Sequence, residues 1–171
     1  MDFENYFSTK VRNDYQRDNF DAFLKKVGFK YDVPSIHIAG TNGKGSTANY
    51  IAYALMENGL KVGLCNSPYL VKVNEMISIN GIEISDEEIS QTINEYSKFV
   101  DKYNLSAFEI QTFIALNYFK KNKCDVAVIE CGMGGEVDAT NVFVPLLSII
   151  TSVSLEHTMF LGRTISEIAL Q

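Results

Sequence analysis

The chain has 171 residues, 46% of them apolar, which suffices to bury one substantial core but hardly two, so a single domain over residues 1–171 is expected. A formal net charge of −6 disfavours a nucleic-acid-binding face, so any phosphate site must be local. The opening residues are charged and lack the apolar run of a signal peptide, and nowhere do about 18 apolar residues follow one another. A soluble cytoplasmic protein with neither nucleic-acid nor membrane partners is therefore expected. Three cysteines, Cys65, Cys124 and Cys131, sit inside apolar runs without disulfide-framework spacing or zinc-site pairs, and read as reduced core residues.

In chain order, residues 14–27 carry Phe20, Phe23, Leu24 and Val27 at helical spacing, which predicts an amphipathic helix laid on the domain. Residues 35–39 form a short apolar run ending at Gly40, a buried strand entering a tight loop, with His37 as a packed, hydrogen-bonded strand residue. Residues 47–58 read as a helix with Tyr50, Ile51, Ala54 and Leu55 on one face and Asn58-Gly59 as its stop. Residues 61–66 follow as a second strand, and strand–helix–strand calls for parallel pairing with a right-handed crossover. Residues 67–85 break the pattern. Pro68, the alternation over 76–79, the turn Asn80-Gly81 and the short run 82–84 predict a loop followed by a small hairpin. Ser85 with Glu88 reads as a capping box opening a helix through about Tyr103, and residues 108–121 read as another helix. Residues 125–130 and 146–152 are continuous apolar runs, predicted as central parallel strands. The fold class is thus α/β, a mainly parallel sheet with helices on both faces and a small hairpin insertion.

The most informative stretch is Gly40-Thr-Asn-Gly-Lys-Gly-Ser-Thr47, between the first strand and its helix. Glycines let backbone N–H groups approach phosphate oxygens, and the helix that follows points its positive end at the same place. Lys44 can reach the β- and γ-phosphates of a nucleotide, and Ser46 or Thr47 can place a hydroxyl on Mg²⁺. The spacing departs from the common G-x-x-x-x-G-K-[ST] form, since only Thr41 and Asn42 separate Gly40 from Gly43 and Gly45 stands between lysine and serine. Glu130 ends an apolar strand and is followed by Gly132-Met-Gly-Gly135, which puts a carboxylate at the C-terminal edge of the sheet, where open α/β folds bind ligands. A carboxylate suits Mg²⁺, which takes hard oxygen donors. His157 follows the last apolar strand and reaches the same edge, although imidazole is not a favoured Mg²⁺ donor.

GTNGKGS resembles the phosphate loop of the Mur ligase superfamily in the variant of folylpolyglutamate and dihydrofolate synthases. The resemblance continues in the family's order through HIAGTNGKGS, SPYLVKVNEMISING, FEIQTF, VIECGMGGEVDATN and SLEHTMFLG. It implies a P-loop-type Mur ligase central domain that uses ATP and Mg²⁺ to join L-glutamate to a folate or dihydropteroate carboxylate through an acyl phosphate, in enzymes that are usually monomeric. It implies nucleotide binding by Thr41, Asn42, Gly43, Lys44, Gly45, Ser46 and Thr47, and Mg²⁺ ligation by Ser67, Glu130 and His157. Lys44, Glu130 and His157 become the expected catalytic groups. The folate or pteroate site is expected along Ser106, Ala107, Phe108 and Glu109 and along Val137, Asp138 and Ala139, framed by the loop 67–75. Helix-face core packing stays open for Phe108.

Four positions depart from the family pattern: Tyr69 for a frequent histidine, Met76 for a frequent arginine, Glu136 for a basic residue, and Glu156 for the aspartate before His157. Met76 and Glu136 remove positive charge that could face an anionic substrate. The resemblance also implies a C-terminal Rossmann-like domain that this chain does not carry. The family continues past this point as E-K-A-G-I, with a carbamoylated lysine right after the position of Gln171. An N-terminal half without ligation of its own is therefore expected, arising from a truncated chain or a disrupted reading frame. A cell-wall Mur ligase and a non-catalytic nucleotide-binding module stay open as alternatives, the SPYL…NEMISING block speaking against the former.

Overall fold

The computed structural model describes residues 2–11 and 17–171. The expected start of the first long helix, residues 14–16, lies outside them; within them the helix α2 runs Arg17–Lys26, with Phe20 and Phe23 fully buried. A shorter helix, α1 (Phe3–Ser8), precedes it, capped by the Asp2 carboxylate and burying Phe3 and Phe7. Six residues are too few for a readable helical period, so the sequence alone does not show it.

The other elements are β1 (Ser35–Ala39), α3 (Lys44–Glu57), β2 (Val62–Cys65), a 3-10 turn (Val73–Met76), β3 (Ile77–Ile79) and β4 (Ile82–Glu83). There follow α4 (Asp86–Lys102), α5 (Ala107–Lys121), β5 (Val126–Glu130), β6 (Leu147–Ile150) and a short α6 (Ile165–Ala169). The strands form one sheet in the order β4-β3-β2-β5-β1-β6. β2, β5, β1 and β6 are parallel, and the β3–β4 hairpin adds antiparallel strands beyond β2. Its turn is Asn80-Gly81, both at positive φ (50° and 75°), as a tight two-residue hairpin demands.

Strand alternation sorts the core into two layers. Ile38, Val62, Leu64, Val126 and Val128 face α3 through Ala48 and Ala52. Cys65, Ile77, Ala127 and Ile129 face the opposite layer, where Phe23, Ile93, Phe113 and Phe119 bring in α2, α4 and α5. Helices thus cover both faces. At Gly63 the approach is close: a Cβ there would stand 2.6 Å from the Phe119 ring.

Two details differ from expectation. β5 is central, between β2 and β1 and buried throughout, but β6 is an edge strand with Leu147 51% and Ile150 65% exposed. An apolar run alone does not separate a central strand from an edge strand with uncovered flanks. The capping box is displaced as well. Ser85 Oγ accepts from Glu88 N (3.2 Å), but reciprocal pairs form instead at α6, between Thr164 and Glu167, and at α5, where Glu109 Oε2 takes Ser106 N (2.7 Å) and Ser106 Oγ accepts from Glu109 N (3.3 Å). Among the described residues no helix is long and apolar enough to cross a membrane.

Candidate nucleotide and substrate site

β1 delivers the chain into the loop at Gly40, whose φ of 131° and position against the end of β6 both require glycine: a Cβ would meet Thr151 Oγ1 at 2.3 Å. The loop is tied to the segment after β6. Thr41 N donates to Ser152 O (2.8 Å), Asn42 N to Ser152 Oγ (3.0 Å), and Ser154 N to Thr41 Oγ1 (3.0 Å). Gly43 turns the backbone at φ 86° and α3 starts at Lys44, three residues before the sequence-based start, and as N-cap Gly43 offers no side chain to the first amides. Those amides are the donors a phosphate group would use. Lys44 Nζ is folded over the loop onto Gly40 O (2.6 Å) and Thr41 O (3.1 Å). The hydroxyls of Ser46 and Thr47, in the first turn of α3, have no hydrogen-bond partner among the described residues.

Glu130 ends β5 only 4% exposed, and its Oε2 accepts from the Ser67 amide (2.9 Å). Its carboxylate lies against the phosphate loop, 3.4 Å from where a Gly45 Cβ would stand. Burial pushes the Glu130 pKa up, while the Ser67 amide, the Lys44 charge and the Gly45 amide pull it down without reversing the rise. The neighbouring loop is held firmly. The carboxylate of Glu75 accepts from the amides of Leu70 (2.9 Å), Val71 (3.0 Å) and Lys72 (2.9 Å), and the Ser67–Pro68 bond is cis.

His157 follows on the segment that Thr41 anchors; it is exposed and has φ 46°, and its carbonyl accepts from Phe160 N (2.8 Å) and Leu161 N (2.9 Å). Among the described residues no three His, Cys, Asp or Glu side chains are grouped to hold a metal ion. Glu130 and Ser67 meet at the loop, whereas His157 belongs to no such preassembled cluster. A buried carboxylate beside unpartnered hydroxyls nonetheless fits Mg²⁺, which commonly takes one or two carboxylates and completes its shell with phosphate oxygens and water.

Six of the seven expected substrate residues line one cavity of about 360 Å³: Ser106, Ala107, Phe108, Val137, Asp138 and Ala139. Glu109 does not line it; its carboxylate turns back to cap α5, and burial raises its pKa. Phe108 lines the cavity and also packs against the core. Asp138, 6% exposed, accepts from Met133 N (2.8 Å), Thr140 N (2.9 Å) and Thr140 Oγ1 (2.5 Å). Gly132 has no room for a side chain: a Cβ would meet Phe108 Cζ at 2.7 Å and Asp138 Oδ2 at 3.1 Å.

Lys10 and Val11 complete the wall, and sequence reasoning missed both. No motif marks them, because tertiary folding brings them there through Ala107 N, which donates to Lys10 O (2.9 Å). Arg17 grips the same wall from α2, donating to Asp138 O (2.5 Å) and Asn141 O (2.6 Å). Of the departures, Tyr69 donates to Glu4 Oε2 (2.8 Å), Met76 is buried in the core, Glu136 is exposed, and Glu156 lines a separate cavity of about 210 Å³.

Residues 38–170 match the Mur ligase middle domain, spanning the loop, Glu130, the cavity wall from Ser106 to Ala139, and His157. The chain belongs to the Mur ligase family. A curated relative of this Mur ligase domain is the dihydrofolate synthase/folylpolyglutamate synthase (FPGS) of Bacillus subtilis, 44% identical over 144 residues, with 80% of this chain and 34% of the relative covered. Among solved structures, an FPGS–AMPPCP–folate complex superposes with TM-score 0.90 at 36% identity, covering 97% of this chain and 43% of that one. The ADP complex of Mycobacterium tuberculosis folylpolyglutamate synthase gives TM-score 0.87 at 34% identity, covering 96% and 39%. The mostly parallel α/β fold is theirs, and the chain spans about a third of the length of the Bacillus subtilis relative.

Proposed function

We propose that this Mur ligase domain is the nucleotide-binding part of an ATP-dependent ligase that joins L-glutamate to the carboxylate of a folate or of dihydropteroate. The observation that carries the reading is the Glu130 carboxylate held against Gly45 by the Ser67 amide, beside the uncapped first turn of α3. The relatives' complexes with AMPPCP, ADP and folate support the same chemistry.

In this reading the triphosphate lies along residues 41–47, where the free amides of α3 and the Lys44 ammonium offset its charge. Lys44 exchanges its two carbonyl partners for β- and γ-phosphate oxygens. Glu130, Ser67, His157 and a hydroxyl of Ser46 or Thr47 would hold Mg²⁺, which offsets charge on the phosphoryl group in transfer. The cavity beside Asp138 and Phe108 orients the substrate so that its carboxylate oxygen attacks the γ-phosphorus, releasing ADP and leaving an acyl phosphate. The amine of glutamate then attacks the acyl carbon, the amide bond forms and inorganic phosphate departs. Held donors that meet developing charge are the main source of acceleration in such transfers.

The test is Lys44→Ala in an ATP titration followed by calorimetry. Loss of one charge-assisted contact predicts affinity weaker by about tenfold or more, with melting temperature within a few degrees of wild type. Unchanged ATP affinity would remove the phosphate-loop assignment.

A further inference from the structure

His37 stands on β1, three residues before the phosphate loop, in the strand position whose side chain faces away from α3. Its Nε2 lies 2.8 Å from Thr140 Oγ1 and 3.0 Å from Cys131 Sγ, and Phe143 packs beside the ring with centroids 5.3 Å apart. Thr140 is fully buried, and its Oγ1 is 2.5 Å from Asp138 Oδ1. An ionised carboxylate only accepts, so the single hydroxyl proton of Thr140 points at Asp138; the competing contact to Cys131 Sγ, at 3.6 Å, is longer and uncharged. Thr140 oxygen must then accept from His37, which fixes the ring with its proton on Nε2.

The consequence falls on the substrate cavity. Asp138 Oδ1 receives two donors, Thr140 N and Thr140 Oγ1, and is filled. Among the described residues Oδ2 receives Met133 N alone, and it stands 3.1 Å from where a Gly132 Cβ would be; Gly132 and Asp138 both line the cavity. One acceptor site on Oδ2 is left for an N–H donor.

We propose that His37 is a positioning residue for the substrate cavity: acting through Thr140, it orients the Asp138 carboxylate so that Oδ2 accepts a hydrogen bond from a nitrogen-bound proton of the substrate's heterocycle. This rests on reading the cavity as the folate or dihydropteroate site. His37 does not line the cavity beside Phe108 and Asp138, so its effect on the heterocyclic substrate runs through Thr140 and Asp138, and the ATP titration serves as the control.

The experiment has two arms on the full chain. Nitrogen-15 NMR of the His37 ring reads the tautomer without any ligand, and Nε2–H is expected. Calorimetric titrations then compare folate and ATP binding for wild type, His37→Phe, His37→Gln, Thr140→Val and Thr140→Ser. Removing one hydrogen bond in the chain should weaken folate binding about three- to tenfold in His37→Phe and Thr140→Val. The donor-keeping His37→Gln and Thr140→Ser should recover most of it, and ATP affinity should not move.

A ring protonated on Nδ1 instead overturns the hydrogen-bond chain. So does equal folate affinity in His37→Phe and His37→Gln, which would leave His37 a packing residue. If His37→Phe or Thr140→Val does not fold, the tautomer and the Thr140→Ser titration still decide. A wild-type chain that shows Nε2–H but binds no folate overturns the proposal by removing the cavity assignment, while leaving the ATP reading standing.

Discussion

Glu130 is set against the stability of the fold it serves. Its carboxyl is buried and its pKa raised, so the ionised form is disfavoured in the folded state relative to the unfolded one. The sign follows from linkage. An acid whose folded pKa is raised destabilises the fold wherever it is ionised, and this cost fades as pH falls through the folded pKa toward the ordinary carboxylate value of about 4.3. Glu130→Gln, which keeps an oxygen for the Ser67 amide, should therefore melt above wild type at neutral pH while binding Mg-nucleotide more weakly. The stability gap should close as pH is lowered to about 4; a gap that stays constant with pH would show that charge burial is not its origin. Glu75 has the opposite sign: three backbone donors lower its pKa, so the stability it gives the loop 70–72 is present above the ordinary carboxylate range and lost on acidification.

At the scale of elements, the contact that sets helix-to-sheet distance is Phe119 on Gly63. Gly63→Ala would push a methyl into the ring at 2.6 Å, and overpacking of this kind costs about 1–3 kcal/mol. Chemical denaturation should show that loss; a neutral result would mean that α5 can lift off β2 freely. Much of this level was legible in the sequence. The strand and loop of the phosphate loop, the Asn80-Gly81 hairpin and the apolar run of β5 each carry a local signal, turn chemistry or period, and each is found where expected. What was not legible depends on distant chain. The exposure of β6 is decided by what covers it, and Lys10 joins the cavity through the backbone of Ala107. The helix α3 begins at Lys44 because Gly43 turns the chain there, a backbone event that side-chain periodicity does not register. Within the site, the convergence of Glu130 with Gly45 follows from strand order, but the turning of Glu109 into a cap follows from a rotamer choice that sequence spacing leaves open.

At the scale of the chain, the sheet formed by the described residues has two unlike edges. On one side the hairpin ends the sheet with the two-residue strand β4 and the Lys72–Glu83 ion pair at 2.7 Å, devices that discourage further pairing. On the other, β6 leaves Leu147 and Ile150 exposed beside Val144 (96%) and Leu146 (72%). Contiguous exposed apolar surface on an edge strand favours association. Light scattering of the 171-residue chain should show concentration-dependent association that Leu147→Lys with Ile150→Lys suppresses; identical scattering for the two proteins would place any association elsewhere.

The four segments around the loop come from far apart in the chain: residues 40–47, Ser67, Glu130 and the stretch 152–154. They become neighbours only when β2, β5, β1 and β6 lie side by side. A nucleotide bridging them would be a thermometer of the sheet, because binding only the closed state adds RT ln(1 + [L]/Kd), about 2.7 kcal/mol at a hundredfold excess over Kd. Mutations that merely loosen the strand order would then look like binding defects at low nucleotide and vanish at saturation, which separates scaffold from chemistry by concentration alone.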